Sequence, residues 1–223
     1  MQRVVGVLLP LAVVVAISPV PIIAVILMLL APKARGTGPG FLVGWVLGIA
    51  GVTTVVLILT GPDLGRGSGS SSAVSWVGLV LGVVLLLLAV RQWWSRPGPG
   101  AQPGVPRWMA AMDRFTPVRA GGLGLVLSAF NPKALPACVL AGAAIAGGGL
   151  SSAEATWSVV VFTGIAASTV AVPVLAHLVA RRRMAGPLEA LRTWLTVHSA
   201  VVTATLLLVI GVVLIVQGLG GVR

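Results

Sequence analysis

Hydrophobic positions come in long runs along this chain, separated by short polar or charged segments. Six runs can be drawn: about Val4–Ala31, Gly40–Thr60, Ala73–Val90, Gly121–Gly148, Ala155–Ala180 and Trp194–Leu219. Each has about 18 residues or more, enough to cross ~30 Å of hydrocarbon at ~1.5 Å per residue. The pattern predicts an all-α integral membrane protein with six transmembrane helices. The first run is longer than the h-region of a signal peptide, and Ser18-Pro19 is a poor cleavage context, so it is read as the first span. Gly40, Gly44 and Gly48 in span two, and Gly78 and Gly82 in span three, form small-residue stripes that let helices approach closely. Span three ends in Arg91-Gln92-Trp93-Trp94, an interfacial anchor.

Two of the runs carry polar, proline-containing interruptions. Span one holds Ile17-Ser18-Pro19-Val20-Pro21. Span four holds Ser128-Ala129-Phe130-Asn131-Pro132-Lys133-Ala134-Leu135-Pro136, with prolines on both sides of a lysine. Proline removes a helix donor and clashes with the preceding turn, so both helices are expected to break there. A broken helix at bilayer depth must face protein or a watery cavity, because its freed backbone groups find no partner in lipid.

The two halves of the chain echo each other. Ser18-Pro19 corresponds to Asn131-Pro132. Gly48-Ile49-Ala50 matches Gly164-Ile165-Ala166, with Thr53 and Thr169 each five residues beyond the glycine. Leu79–Leu85 matches Leu208–Leu214. Three spans per half is an odd number, so the halves cross the membrane in opposite senses. Two inverted three-helix repeats with Pro-broken helices 1 and 4 are the signature of a secondary transporter whose substrate sits between the breaks. The boundaries are 1–94 for the first repeat, 95–118 for a cytoplasmic Pro/Gly linker, and 119–223 for the second repeat. Within the linker, Arg107–Phe115 reads either as a short interfacial helix or as an ordinary loop.

Composition sharpens this picture. The chain of 223 residues is 57% hydrophobic and 9% charged, with a mean hydropathy of +1.09. A net charge of +11 raises the question of nucleic acid. The charges sit in short loops between spans, which excludes it. Eleven of the fifteen Lys and Arg residues lie in the loops one–two, three–four and five–six. Positive-inside bias then puts both termini outside and the linker in the cytoplasm. Arg outnumbers Lys thirteen to two, which together with the Ala, Val and Gly content suggests a GC-rich genome. The single cysteine, Cys138, excludes an intrachain disulfide. No Cys/His cluster has metal spacing, and no cofactor is implied.

Lys133 is the candidate centre of function. The four carboxylates, Asp63, Asp113, Glu154 and Glu189, map to loops or span ends, so Lys133 has none at its own depth. A buried ammonium must lose its proton, find carbonyl oxygens, reach water or meet an anion. Two roles follow. Lys133, Asn131, Pro132 and the broken backbone at Ser18, Pro19 and Pro21 form a site for an anionic headgroup, aided by helix N-termini. Alternatively, Lys133 caps carbonyls of the broken first helix. Asn131 reads first as a cap for groups freed by Pro132. Thr53, Ser168 and Thr169 either line the cavity or bond their own helix carbonyls. His177 and His198 map near the cytoplasmic face. Trp45, Trp76, Trp157 and Trp194 read as interface or lipid-facing residues.

At Ser18-Pro19-Val20-Pro21 and Asn131-Pro132-Lys133 the chain resembles the LysE-type exporter superfamily. Within it the pattern is most similar to the actinobacterial GAP and sulfolipid-addressing (Sap-like) proteins. The resemblance covers nearly the whole chain and implies a six-helix inner-membrane exporter. The subgroup is linked with moving glycolipids toward the cell surface. Amino-acid exporters of the superfamily commonly carry an acidic residue within the spans; this sequence has none. The expected function is export of an anionic lipid or glycolipid. The alternatives are export of a small amino-acid-like metabolite, or an accessory role in a lipid-export complex. No nucleophile–base constellation or ATP-binding loop is present, so no enzyme is expected. The partners expected are membrane lipids and the substrate, with a homodimer or a lipid-export complex left open.

Overall fold

The computed structural model describes residues 2–31, 33–61, 83, 86, 87, 89–91, 93, 94, 115–131 and 134–222. Its helices are α1 (Gln2–Ala16), α2 (Pro19–Leu30), α3 (Ala34–Thr60), α4 (Pro117–Ala129), α5 (Ala134–Ala146) and α6 (Ser152–Val222). Residues 83, 86, 87, 89 and 90 of the third apolar run are also helical. The rest of that run, most of the linker, Trp76, Pro132 and Lys133 lie outside the described residues.

Local sequence explains the ends. α4 opens with Pro117 behind Thr116, whose Oγ1 accepts the Arg119 N–H at 3.3 Å. α6 opens on a capping box. Ser151 Oγ accepts the Glu154 N–H at 3.4 Å, and Glu154 Oε2 accepts the Ser151 N–H at 2.9 Å. The Ser-x-x-Glu spacing places the start of the fifth span at Ser152 rather than Ala155. α3 begins at Ala34, six residues before the boundary expected from apolarity, because Lys33-Ala34-Arg35 already winds into its first turn.

Both expected interruptions are present. α1 and α2 meet at a bend of 49°, α4 and α5 at 68°. Pro136 breaks nothing: α5 starts before it, and a proline in the first helical turn lacks only a donor that would have gone unused. Two helices, Ala34–Thr60 and Ser152–Ala180, are long and apolar enough to cross a membrane without interruption. Counting each bent pair as one span gives up to five among the described residues. The loop expected between spans five and six is instead helical. α6 continues through Arg181–Arg183, interrupted in dihedral angles only at Ala180 (φ −133°, ψ 48°). It then bends by 65° between Gly186–Thr196 and Val201–Val209. Leu188 and Leu195, one heptad apart, fasten this segment to the core.

Packing crosses between the halves. α3, from the first half, lies against both limbs of the second bent pair, α4 and α5. α6, from the second half, lies against both limbs of the first, α1 and α2. The α3–α4 contact is the tightest. A Cβ on Gly44 would stand 1.9 Å from the Gly121 carbonyl oxygen, and one on Gly48 would stand 1.6 Å from Ser128 Oγ. The glycine stripe of span two therefore brings two backbones into direct contact. On the same helix Trp45 is fully buried and stacked on Phe41 at 6.3 Å between ring centroids. The expectation of an interfacial or lipid-facing Trp45 is corrected: its indole is packed into the apolar core beside Phe41. Trp157 and Trp194 are exposed, as lipid-facing residues are.

Candidate functional site

Pro19 ends α1 because it carries no N–H for the Val15 carbonyl. Ser18 takes an extended conformation (φ −93°, ψ 111°) and opens α2 with Pro19 at its first position. Pro19 and Pro21 supply no donors, so Val20 and Ile22 hold the N–H groups of that first turn. In the second bent pair, Phe130 closes α4 with its N–H on the Val126 carbonyl at 2.9 Å. The Asn131 carbonyl receives the Leu135 N–H at 3.0 Å and so starts α5.

These two breaks touch. The Asn131 side-chain amide donates to Ser18 Oγ at 3.4 Å, across 113 positions of sequence. Ser18 is almost fully buried and does not cap its own helix; its hydroxyl is turned to the other half instead. Asn131 makes a further contact besides this one.

Thr169, on α6, donates its hydroxyl to the carbonyl of Ala16, the last residue of α1. In an uninterrupted helix that carbonyl would accept the N–H of Val20. Thr169 thus supplies from the other half a bond that the break removes. Its neighbour Ser168 bonds back to the Ile165 carbonyl at 2.7 Å. Thr53, the counterpart of Thr169 in the first half, is fully buried beside α5, where a Cβ on Gly142 would meet its carbonyl oxygen at 2.6 Å. Its hydroxyl forms no hydrogen bond among the described residues, and the Cys138 thiol lies next to it outside bonding geometry.

Of the eight residues singled out from sequence, Ser18, Pro19, Pro21, Asn131 and Thr169 are gathered where the breaks meet. Thr53 lies apart from them against α5. Pro132 and Lys133 are outside the described residues. Sequence reasoning missed Ser128, buried opposite Gly48 with its hydroxyl on the Leu125 carbonyl at 2.8 Å. Its place in the run Ser128–Pro136 was the available signal.

The described carboxylates are engaged elsewhere. Glu154 belongs to the capping box, about four turns of α6 before Thr169. Glu189 pairs with Arg192 at 2.9 Å, beyond the Ala180 interruption. His177 is buried on α6. The His198 Nδ1 lies 2.9 Å from the Trp194 carbonyl, with its ring stacked on that indole.

Bent apolar helix pairs, joined at their polar breaks and clasped by a long apolar helix from the other half, define a helical membrane protein with a buried polar seam. The chain belongs to the Sap, sulfolipid-1-addressing protein family, whose model matches residues 8–220. No curated protein and no solved structure matches it.

Proposed function

We propose that this protein is a secondary transporter of the bacterial inner membrane that moves an anionic lipid or glycolipid toward the cell envelope. The observation that carries the reading is the hydrogen bond from Asn131 to Ser18, which joins the two helix breaks. In transporters built from inverted repeats, interrupted helices meet at the substrate site near the bilayer midplane. The reciprocal packing of α3 on α4 and α5, and of α6 on α1 and α2, supports two opposed three-helix repeats. Membership of the sulfolipid-addressing family favours a lipid over a small amino-acid-like metabolite. The transport reading also draws on the resemblance of Ser18-Pro19-Val20-Pro21 and Asn131-Pro132-Lys133 to LysE-type exporters.

Lys133 stands two residues after Asn131 and hence at the same interruption. An ammonium in a membrane span costs about 2.5–3.5 kcal/mol on insertion scales, unless a partner offsets it. A sulfate, phosphate or carboxylate headgroup is that partner. The two donors at the start of α2, Val20 and Ile22, add the positive end of a helix. This is a transport site without catalysis or a cofactor. The Lys and Arg distribution favours an orientation with both termini on the extracytoplasmic side.

The test is lipid profiling of the cell envelope in a deletion strain carrying Lys133→Gln, with protein level checked in the membrane fraction. The expected result is loss of a surface anionic lipid at a normal protein level. Normal surface lipid with Lys133→Gln excludes the anion-binding role. Loss of folded protein assigns Lys133 to capping the broken first helix.

A further inference from the structure

A lipid has a tail as well as a headgroup, and the two need different surroundings. The headgroup crosses the membrane through a polar seam; the tail must stay in hydrocarbon meanwhile. A transporter of this kind therefore needs a slit that opens sideways from the seam into the bilayer.

The structure has a groove of that kind between α1 and α6. Its floor is made by Leu8 and Phe162, both buried, with Ser158 beside them. Its rims are Val5 and Leu9 on one side, and Trp157 and Val161 on the other, all exposed. The one hydroxyl in the lining, that of Ser158, is already bonded to the Glu154 carbonyl at 2.8 Å. Nothing in the groove asks for a polar ligand. Both walls belong to apolar runs, so the groove faces hydrocarbon.

The direction of the groove matters more than its lining. α1 and α6 come from opposite halves of the chain, so the groove lies on the same boundary as the breaks. Its inner end is Ile165. Thr169 is one helical turn further on, and its hydroxyl holds the Ala16 carbonyl at the break of the first pair. The outer end lies by the start of both helices. There a Cβ on Gly148, in the α5–α6 turn, would stand 2.6 Å from Val4. The exposed Trp157 marks this end, as aromatic rings mark the membrane interface.

We infer that the α1–α6 groove is the lateral slot for an acyl chain of the transported lipid, held there while its headgroup occupies the joined breaks. This inference rests on the transport reading above. With both termini outside, the slot opens into the outer leaflet, where such a lipid is released.

The test uses the full-length protein in vesicles of phosphatidylglycerol containing a trace of the same lipid with a photoreactive diazirine at the acyl terminus. Illumination followed by peptide mapping reads where the chain lies. Labelling across Val5–Leu9 and Trp157–Ile165 is expected about fivefold above that at Val43 and Leu47, equally lipid-facing positions on α3. Val161→Trp fills the slot and is expected to bring labelling to the α3 level. Leu9→Trp does the same from the opposite rim, and both positions are exposed enough to accept the larger ring. Equal labelling of the groove and of α3 overturns the inference, as ordinary boundary lipid gives that result. Surface-lipid profiles separate the two levels. Loss with both Asn131→Ala and Val161→Trp supports the slot. Loss with Asn131→Ala alone removes the slot and leaves the transport reading. Normal export with both removes the transport reading itself.

Discussion

Asn131 and Ser18 lie 113 positions apart in sequence, yet the amide of one donates to the hydroxyl of the other at 3.4 Å. Each residue immediately precedes a proline. Ser18 does not cap its own helix, and its hydroxyl accepts from the other break instead. The interruption of one span is thereby completed by the interruption of another.

The bond should be measurable as a coupling. Ser18→Ala and Asn131→Ala are each expected to destabilise the protein, with a double-mutant coupling of about 0.6 kcal/mol, the scale of hydrogen bonds between membrane helices. Asn131 has a further contact, so its substitution is expected to cost more than that of Ser18. Denaturant unfolding in detergent of both single variants and the double variant checks this. Simple additivity would show that the two side chains do not interact in the folded state.

Thr169 holds the Ala16 carbonyl. Thr169→Val keeps the shape and removes the donor, leaving a buried acceptor without its partner at a cost of about 1–3 kcal/mol. Thr169→Ser retains the hydroxyl and is expected to stay within about 1 kcal/mol of the parent. A lower thermal midpoint for Val but not for Ser is the expected result. Equal behaviour of the two would mean that volume, not the hydroxyl, matters at this position.

Gly48 has no room for a side chain. Gly48→Ala would place a Cβ 1.6 Å from Ser128 Oγ, so α3 and α4 must separate. The expected cost is about 1–3 kcal/mol, the usual range for overpacking. Ser128→Gly removes the opposing hydroxymethyl group and should recover part of it in the double variant. Gly51, whose added Cβ would meet nothing within 4 Å, serves as the control for helix propensity. Comparable losses for Gly48→Ala and Gly51→Ala would remove the steric explanation.

The proposed orientation is open to direct labelling. Cys138 is buried between α5 and α3, so it should react slowly with a membrane-impermeant maleimide and leave a clean background. A cysteine introduced at Gln2 is expected to label in intact cells, and one at Arg192 only after the membrane is opened. The reverse pattern would invert the topology and move the α1–α6 slot to the inner leaflet.

The sequence by itself determined the membrane character, the positions of the apolar runs and both interruptions. It did so because hydrocarbon admits only long apolar helices and because proline disrupts a helix through its own covalent structure. The glycine stripe of span two was legible for a similar reason, since a missing side chain is written in the residue itself. Tertiary structure decided the rest. Trp45 has an indole that suits an interface, but the apolar core formed with Phe41 and distant helices buries it. Thr169 has a hydroxyl that suits its own helix, but the unsatisfied Ala16 carbonyl of another helix takes it. The helical continuation past Arg181 was hidden because charge signals topology and says nothing about winding, whereas Leu188 and Leu195 find their place only against a core assembled from distant segments. Which polar group meets which is fixed by how the helices lie together. No residue type, read alone, carries that information.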